Sequence, residues 1–201
     1  MLDEKLPDIL WFSDTHLLPI DFSEVNRVDL VIGVGDYAQK KDYYTQKKFR
    51  VNEIEEGLID LKNNIDEVNP KFGSILFHGN HEKEYLKKGK NEIILKSMGL
   101  LNINSAYAPV VYGKNPTQDY WLFVQSMNPD ELEEKITKRT INDAEFKCLV
   151  GHNMNLNNFT SNFDMAVGAH VHNRRDKSDS SPNIYVSIVN NIKRDKIGEP
   201  V

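Results

Sequence analysis

The sequence predicts an α/β fold in which strands and helices form separate layers. Short continuous apolar runs recur along the chain, and such runs are typical of strands that are buried on both faces. A segment with the apolar spacing of an amphipathic helix lies between the second and the third run. Strands alternate with helices in the first half and follow one another in the second half, which favours a layered α/β domain.

Six apolar runs define the predicted strands. They are "ILWF" at 9–12, "LVIGV" at 30–34, "SILF" at 74–77, "CLV" at 148–150, "MAV" at 165–167 and "IYVSIV" at 184–189. Between residues 101 and 127, strand-like pieces are interrupted by Pro109, Gly113 and Pro116. Such interruptions predict hairpins in this part of the chain.

Three segments have the pattern of helices. The first has apolar residues spaced by three or four, which places them on one face. These residues are Val51, Ile54, Leu58, Leu61, Ile65 and Val68, and Pro70 predicts the end of the helix. The second segment runs from Glu82 to Met98. The third runs from Pro129 to Arg139 and opens with "PDELEE", which places acidic groups where the helix dipole favours them.

Length and composition predict one domain that spans residues 1–201. A chain of 201 residues with 39% hydrophobic residues can bury a substantial core, and no linker divides it. The single cysteine, Cys148, lies in the apolar run "FKCLVG". We therefore expect a buried, unreactive thiol and a reducing compartment.

The terminal sequence and the charge bear on location and partners. The first ten residues, "MLDEKLPDIL", carry acidic residues where a signal peptide has basic ones. No apolar run approaches the ~20 residues that cross a bilayer. We therefore expect a soluble, cytoplasmic protein without a membrane partner. The formal net charge of -5 offers no general attraction to a nucleic-acid backbone, so binding of nucleic acid is not favoured.

Residues with side chains that can bind a metal, which are histidine, aspartate and asparagine, follow five of the apolar runs. These residues are Asp14 and His16, Asp36, Asn80 and His81, His152, and His170 and His172. Five of the six histidines stand at these strand ends, whereas histidines of a solvated surface would be scattered. Ligands of open α/β sheets collect at the carboxyl ends of the strands. The pattern therefore predicts one metal site that is assembled from five strand ends.

The pair His170 and His172 has two interpretations when it is considered alone. In an extended segment, side chains two residues apart point to the same side, so both imidazoles can reach one centre or two adjacent centres. Alternatively, one imidazole caps a backbone carbonyl and the other lies in water. The four other strand ends favour metal ligation.

These motifs resemble those of the calcineurin-like metallophosphoesterase superfamily. The resemblance is carried, in order, by "DTH" at 14–16, "GD" at 35–36, "GNHE" at 79–82, "GH" at 151–152 and "AHVH" at 169–172. It spans about residues 8 to 190, and five ordered motifs make a specific signal. The resemblance implies a four-layer α/β/β/α sandwich of two mixed sheets flanked by helices.

The resemblance also implies a role for each motif residue. One divalent ion would be held by Asp14, His16 and His172, and a second by Asn80, His152 and His170. Asp36 would bridge the two ions. His81 would bind no metal and would face the phosphoryl group as a general acid or as a donor that stabilises charge.

The implied activity is a phosphoesterase that depends on two metal ions. Two cations neutralise the phosphate oxygens and lower the pKa of a bridging water, which becomes the attacking hydroxide. The substrate would be a small phosphoester, with a phosphodiester favoured over a monoester. The nitrogen and oxygen ligands suit Mn²⁺, which we expect, and also Fe, Zn²⁺, Ni²⁺ or Co²⁺.

Two positions depart from the family pattern. Gln39 stands where the phosphoprotein phosphatase branch has an aspartate after its "GD" motif, which disfavours protein phosphatase activity. That aspartate could orient His81, and Asp42 or Glu82 would have to replace it. Ala169 stands where the last motif usually has glycine. Alanine would be strained there only if the backbone needs a positive φ. Because alanine is the smallest alternative to glycine and Gly168 precedes it, we expect little effect.

Two other functions remain compatible with the motifs. A nuclease of the same superfamily would share the chemistry and add a basic groove beyond the metals. A scaffold that has lost catalysis would be expected to lose ligands, whereas all the motif positions are filled here. Arg174 and Arg175 follow the last motif and are candidate substrate-binding residues, although they can equally belong to a solvated loop.

Overall fold

The structure is a computed structural model that describes most of the first half of the chain and the strands of the second half. The described residues are 8–25, 27–41, 45–88, 96, 99, 101, 103–104, 110–115, 119–125, 146–152, 164–170 and 183–185. The predicted helix from Pro129 to Arg139 lies outside them.

The first sheet contains four parallel strands in chain order. They are β1 (Ile9–Phe12), β2 (Leu30–Gly33), β3 (Ser74–Phe77) and β4 (Ile103–Asn104). The first three confirm the predicted strands. The fourth lies in the segment predicted to form hairpins, but it pairs with β3 in this sheet. There Leu101 and Ile103 contact an apolar cluster that also contains Ile54, Leu58, Leu61 and Ile65.

The second sheet contains five strands, also in chain order. They are β5 (Val110–Asn115), β6 (Asp119–Gln125), β7 (Phe146–His152), β8 (Met165–Ala169) and β9 (Asn183–Tyr185). The antiparallel pair β5 and β6 confirms a predicted hairpin, whereas β6 to β9 pair in parallel. Residues 186–189 of the last predicted strand lie outside the described residues.

Two helices connect strands of the first sheet. Helix α1 (Val51–Val68) spans the predicted apolar stripe and buries Ile54, Leu58, Leu61 and Ile65. It ends at Asn69, whose left-handed φ of 50° closes the last turn one residue before Pro70. Helix α2 (Asn80–Lys88) begins two residues earlier than predicted, directly after the loop that follows β3.

Strand β2 is buried on both faces, as its continuous apolar run predicts, and the partly buried residues of β1 pack against both apolar clusters. Along β2, Val31 belongs to the cluster that includes the buried face of α1. Its neighbours Leu30 and Ile32 belong to a second cluster with Cys148 and Val167 of the second sheet. The first sheet therefore lies between α1 and the second sheet, because alternate side chains of a strand point to opposite faces.

Cys148 is fully buried in this second cluster, and its burial raises the pKa of the thiol well above its ordinary value. Among the helices that the structure describes, none combines the length and the apolar composition needed to cross a membrane.

Candidate metal centre

The carboxyl ends of β1, β2, β3, β7 and β8 meet at one place. Parallel strands present these ends at the same edge, so motifs far apart in the chain become neighbours. The residues brought together are Asp14, His16, Asp36, His81, His152 and His170, and Asn80 precedes His81 in the chain and lines a cleft with it. His172, Arg174 and Arg175, together with Asp42, lie outside the described residues, so their predicted roles stay predictions.

Asp36 is the centre of the cluster. Its side chain is 1% exposed, and its Oδ2 atom lies 2.9 Å from His152 Nε2, 3.7 Å from His81 Nε2 and 3.9 Å from His170 Nδ1. The other carboxylate oxygen, Oδ1, accepts a hydrogen bond from the backbone N–H of His81 at 3.0 Å. Asp36 thus faces imidazoles from both sheets with one carboxylate group.

Two groups of side chains have the spacing of metal ligands, and both include Asp36. One group consists of Asp14, Asp36, His152 and His170, and the other of His16, Asp36 and His81. The imidazoles form two matching pairs, with ring centroids 5.0 Å apart for His16 and His81 and 5.1 Å apart for His152 and His170. The cluster therefore has two lobes that share one carboxylate.

Asp14 lies between the two lobes. Its Oδ1 atom is 3.8 Å from His16 Nε2 and 3.9 Å from His152 Nε2, and its Oδ2 atom accepts the backbone N–H of His170 at 3.1 Å. The family pattern assigns Asp14 and His152 to different ions. Because Asp14 is equally near His16 and His152, the assignment of each ligand to one ion stays a prediction.

The orientation of His152 shows why a cation fits the site. Its Nδ1 atom lies 2.9 Å from the carbonyl oxygen of Val34, which can only accept, so Nδ1 carries a proton. Nε2 then points at the Asp36 carboxylate from 2.9 Å. In neutral imidazole this atom has a lone pair, so a proton or a metal ion has to lie between it and the carboxylate.

The pKa values of Asp36 and His152 shift in opposite directions. Burial opposes the charged form of each group. For Asp36, this effect of burial is outweighed by His152 and by the backbone N–H of His81, which hold the pKa of the carboxyl group below its ordinary value. The carboxylates of Asp36, Asp14 and Glu82 raise the pKa of His152. Without a metal, the pair is therefore stabilised as carboxylate and imidazolium.

The backbone is strained at the strand ends that form the cluster. Seven described non-glycine residues have positive φ angles, and four of them belong to the cluster, at 51° for Asp14, 48° for His16, 58° for Asp36 and 79° for His170. The other three are Leu17, Gln46 and Asn69. Left-handed conformations of such residues cost about 1–3 kcal/mol each and persist where the surroundings impose them. Their concentration here supports a functional site.

Glu82 supports the loop after β2. Its carboxylate is fully buried and accepts three backbone N–H groups at 2.8 Å, those of Asp36, Ala38 and Gly79. Burial and the nearby Asp36 raise the pKa of Glu82 against these three hydrogen bonds. The side chain is thus occupied with the backbone, which differs from the expected role of orienting His81.

The sequence signal for the role of Glu82 as a hydrogen-bond acceptor was the glutamate of "GNHE" at the start of a helix. Its partners could not be inferred, because two of them lie on a loop about 45 residues earlier.

Glycine is required where two of the loops touch. A Cβ atom at Gly79 would lie 2.1 Å from Asp36 Oδ1 and 2.5 Å from the Asp36 backbone nitrogen. At Gly35, which has a φ of 107°, a Cβ atom would lie 2.6 Å from the nitrogen of Gly79. The "GD" and "GNHE" motifs therefore need their glycines for the approach of the Asp36 loop to the loop after β3.

The two departures from the family pattern have structural explanations. Gln39 donates a hydrogen bond from Nε2 to the carbonyl oxygen of His16 at 2.9 Å, so it supports the backbone of a site residue. Ala169 is buried at the end of β8, and the positive φ falls on His170 instead. Alanine is therefore unstrained at this position, as expected.

His81 is more exposed than His152, whereas Asn80 has a buried side-chain oxygen. The side chain of His81 is 34% exposed, whereas that of His152 is 1% exposed, so His81 is accessible to a substrate. Asn80 Oδ1 is buried and has no hydrogen-bond partner among the described residues. A buried amide oxygen without a partner is unfavourable, and a bound cation would satisfy it.

Comparisons with known proteins add no relative. A scan against family models finds no match for the chain, and a comparison with curated proteins finds none either. The resemblance to the metallophosphoesterases is therefore carried by the five motifs of the sequence.

Proposed function

We propose that the protein is a phosphoesterase that depends on two divalent metal ions and hydrolyses a small phosphoester. The observation that carries the proposal is the shared carboxylate of Asp36, which belongs to both ligand groups and faces His152 Nε2 at 2.9 Å. The fold expected with it is the four-layer α/β/β/α sandwich.

The side chains of the cluster fit the ions that the family resemblance implies. Asp36 directs its Oδ2 atom toward imidazoles of both lobes, and the buried Oδ1 atom of Asn80 would supply a neutral oxygen. We expect Mn²⁺, with Fe, Zn²⁺, Ni²⁺ and Co²⁺ compatible with the same donors. When bound, two such cations neutralise the phosphoryl oxygens and lower the pKa of the attacking water.

The residues of the chain divide the remaining tasks. The hydrogen bond from His152 Nδ1 to Val34 fixes the imidazole with Nε2 toward the ions. His81 is the accessible imidazole, and it donates a proton to the ester oxygen that leaves, or a hydrogen bond to the charge that develops on phosphorus. Attack of water forms a new P–O bond while the ester P–O bond breaks.

Substrate and metal screening tests the proposal. Purified protein is assayed with each of the five metals against nitrophenyl mono- and diesters, cyclic nucleotides and single-stranded nucleic acids. We expect hydrolysis of the small esters, with a diester faster than its monoester. Activity on nucleic acids alone would favour the nuclease, and two bound ions without hydrolysis would favour the inactive scaffold.

Asp36→Asn tests the role of the shared carboxylate. The variant should lose hydrolysis and one or both ions, because the amide lacks the charge that holds two cations together. Asp60→Asn, on the exposed face of α1, is the matched control and should retain both. Elemental analysis of active protein that finds at most one ion would contradict the shared ligand.

A further inference from the structure

A cleft of about 220 Å³ adjoins the cluster at Asn80 and His81. Its other lining residues are Lys40, Lys41, Glu84 and Tyr85. Pockets that enclose drug-sized ligands have volumes of about 300–1,000 Å³. This cleft is therefore large enough for one substituent of a substrate rather than for a whole substrate.

The charges of the cleft favour an anion. Two ammonium groups and one carboxylate line it, although the formal net charge of the whole chain is -5. Lys40 pairs with Glu84 and lies 5.3 Å from the centroid of the Tyr85 ring, so Lys40 has two partners in the wall. Lys41 is the other lysine that lines the cleft.

The backbone beside the cleft is held by pairing within the loop after β2. Lys41 and Lys48 form an antiparallel bridge, and the N–H of Phe49 donates to the carbonyl oxygen of Lys40 at 2.9 Å. The position of Lys41 relative to Asn80 and His81 is therefore set by the same loop that carries Asp36.

Tyr85 adds a hydrogen-bond donor. The residue is 4% exposed, and its hydroxyl oxygen is buried without a hydrogen-bond partner among the described residues. Burial, together with the charges of Glu82 and Glu84, raises the pKa of Tyr85 to about 12, so the hydroxyl keeps its proton. An unsatisfied buried hydroxyl is unfavourable, and an acceptor on a ligand would satisfy it.

We propose that this cleft binds a second phosphate group of the substrate, with Lys41 and Tyr85 as the donors. The inference rests on the proposed function, because a phosphoryl group beside Asp36 and His81 places its neighbouring substituent at the cleft. Phosphate suits the donors because its oxygens accept hydrogen bonds and carry negative charge. The substrate class is accordingly a phosphoester that bears a further phosphate.

Equilibrium binding of two nucleotides tests the cleft without requiring turnover. Thymidine 3′,5′-bisphosphate and thymidine 5′-phosphate are titrated into the metal-loaded wild type and into Lys41→Ala, Tyr85→Phe and Lys62→Ala. Lys62 lies on α1, where it pairs with Asp66, and is the matched control for removal of a lysine. We expect the wild type and Lys62→Ala to prefer the bisphosphate.

Each cleft variant should lower this preference in its own way. Lys41→Ala should reduce it by roughly 3- to 10-fold, and the reduction should shrink as salt increases, because an exposed charge is screened. Tyr85→Phe should reduce it by a factor that changes little with salt. Equal affinities of the wild type for the two nucleotides, or a wild-type preference in both variants, would overturn the inference.

Kinetics with a matched pair of esters separate this inference from the proposed function. The 4-nitrophenyl ester of thymidine 5′-phosphate is compared with the same ester that carries a 3′-phosphate. Hydrolysis of both with equal kcat/KM and equal nucleotide affinities would overturn the cleft assignment alone. A binding preference that depends on Lys41 without hydrolysis of either ester would support the cleft and contradict the phosphoesterase.

Discussion

The two sheets contribute to the candidate metal centre in different ways. The first sheet supplies both carboxylates, Asp14 and Asp36, from loops that follow its strands and have positive φ angles. The imidazoles of His16 and His81 also follow strands of this sheet. The second sheet supplies imidazoles from the strands or directly after them. His152 is the last residue of β7 and pairs with Ala169 of β8, while His170 is the next residue of the chain.

These differences determine what holds each side in place. The loops of the first sheet are connected to each other, with Asp14 N donating to the carbonyl of Gly35, His16 N donating to that of Asp36, and Glu82 accepting three N–H groups. The second sheet holds His152 through its strand pairing. We therefore expect the carboxylate side to be sensitive to its supporting residues, and the imidazole side to be sensitive mainly to the ligands themselves.

Removal of an imidazole ligand should have the largest effect. His152→Ala removes a predicted metal ligand and leaves the buried Asp36 side chain without its closest imidazole. We expect loss of bound metal after dialysis and loss of detectable hydrolysis. Elemental analysis and thermal unfolding with excess metal separate the lost ligand from a general loss of folding. A variant with wild-type metal content would contradict the ligand role.

His81→Ala should lose turnover and keep its metal. The expected loss is roughly 10²–10⁴-fold, the range for a positioned acid or base. The metal content of His81→Ala has to be compared with that of His152→Ala, because His81 belongs to one of the two ligand groups together with His16 and Asp36. If His81→Ala and His152→Ala lost metal to the same extent, His81 would be a ligand and its predicted role would be wrong.

Glu82→Gln tests the support of the carboxylate side. The amide can accept hydrogen bonds through only one of its two terminal atoms, so at least one backbone N–H group of the loop loses its acceptor. We expect a decrease of about 1–3 kcal/mol in the free energy of unfolding, measured by denaturant titration, together with weaker metal binding. Glu56→Gln on the exposed side of α1 is the control. Equal effects of the two changes would exclude a special role for Glu82.

The pH dependence of stability and of metal affinity tests the role of His152. Its raised pKa stabilises the metal-free fold below the ordinary imidazole pKa, and this contribution is lost as the pH rises through the raised value. Metal binding requires the proton to leave, so metal affinity should fall by about tenfold per pH unit below the raised pKa. Calorimetric titrations of metal and thermal unfolding without metal should therefore respond to pH in opposite directions. A metal affinity independent of pH would contradict direct ligation by His152.

The sequence alone determined several local elements and predicted that the motif residues gather at strand ends. The bounds of β1, β3 and α1 follow from apolar periodicity, because burial on one or both faces imposes a repeat that is readable within a few residues. The prediction that motif residues gather at strand ends also needed only the order of strands and the parallel arrangement of an α/β sheet. The short strand at Ile103–Asn104 was missed because two residues have no period.

Only the tertiary structure decided which side chains meet within that site. His152 reaches the Val34 carbonyl 118 residues away, and the His170 N–H reaches Asp14 across 156 residues. The role of Glu82 depends in the same way on N–H groups of a distant loop, and Tyr85 lines the cleft with Lys40 and Lys41. Periodicity reports only whether a side chain faces the core. The choice of partner depends on how loops with strained backbones approach one another once both sheets are packed.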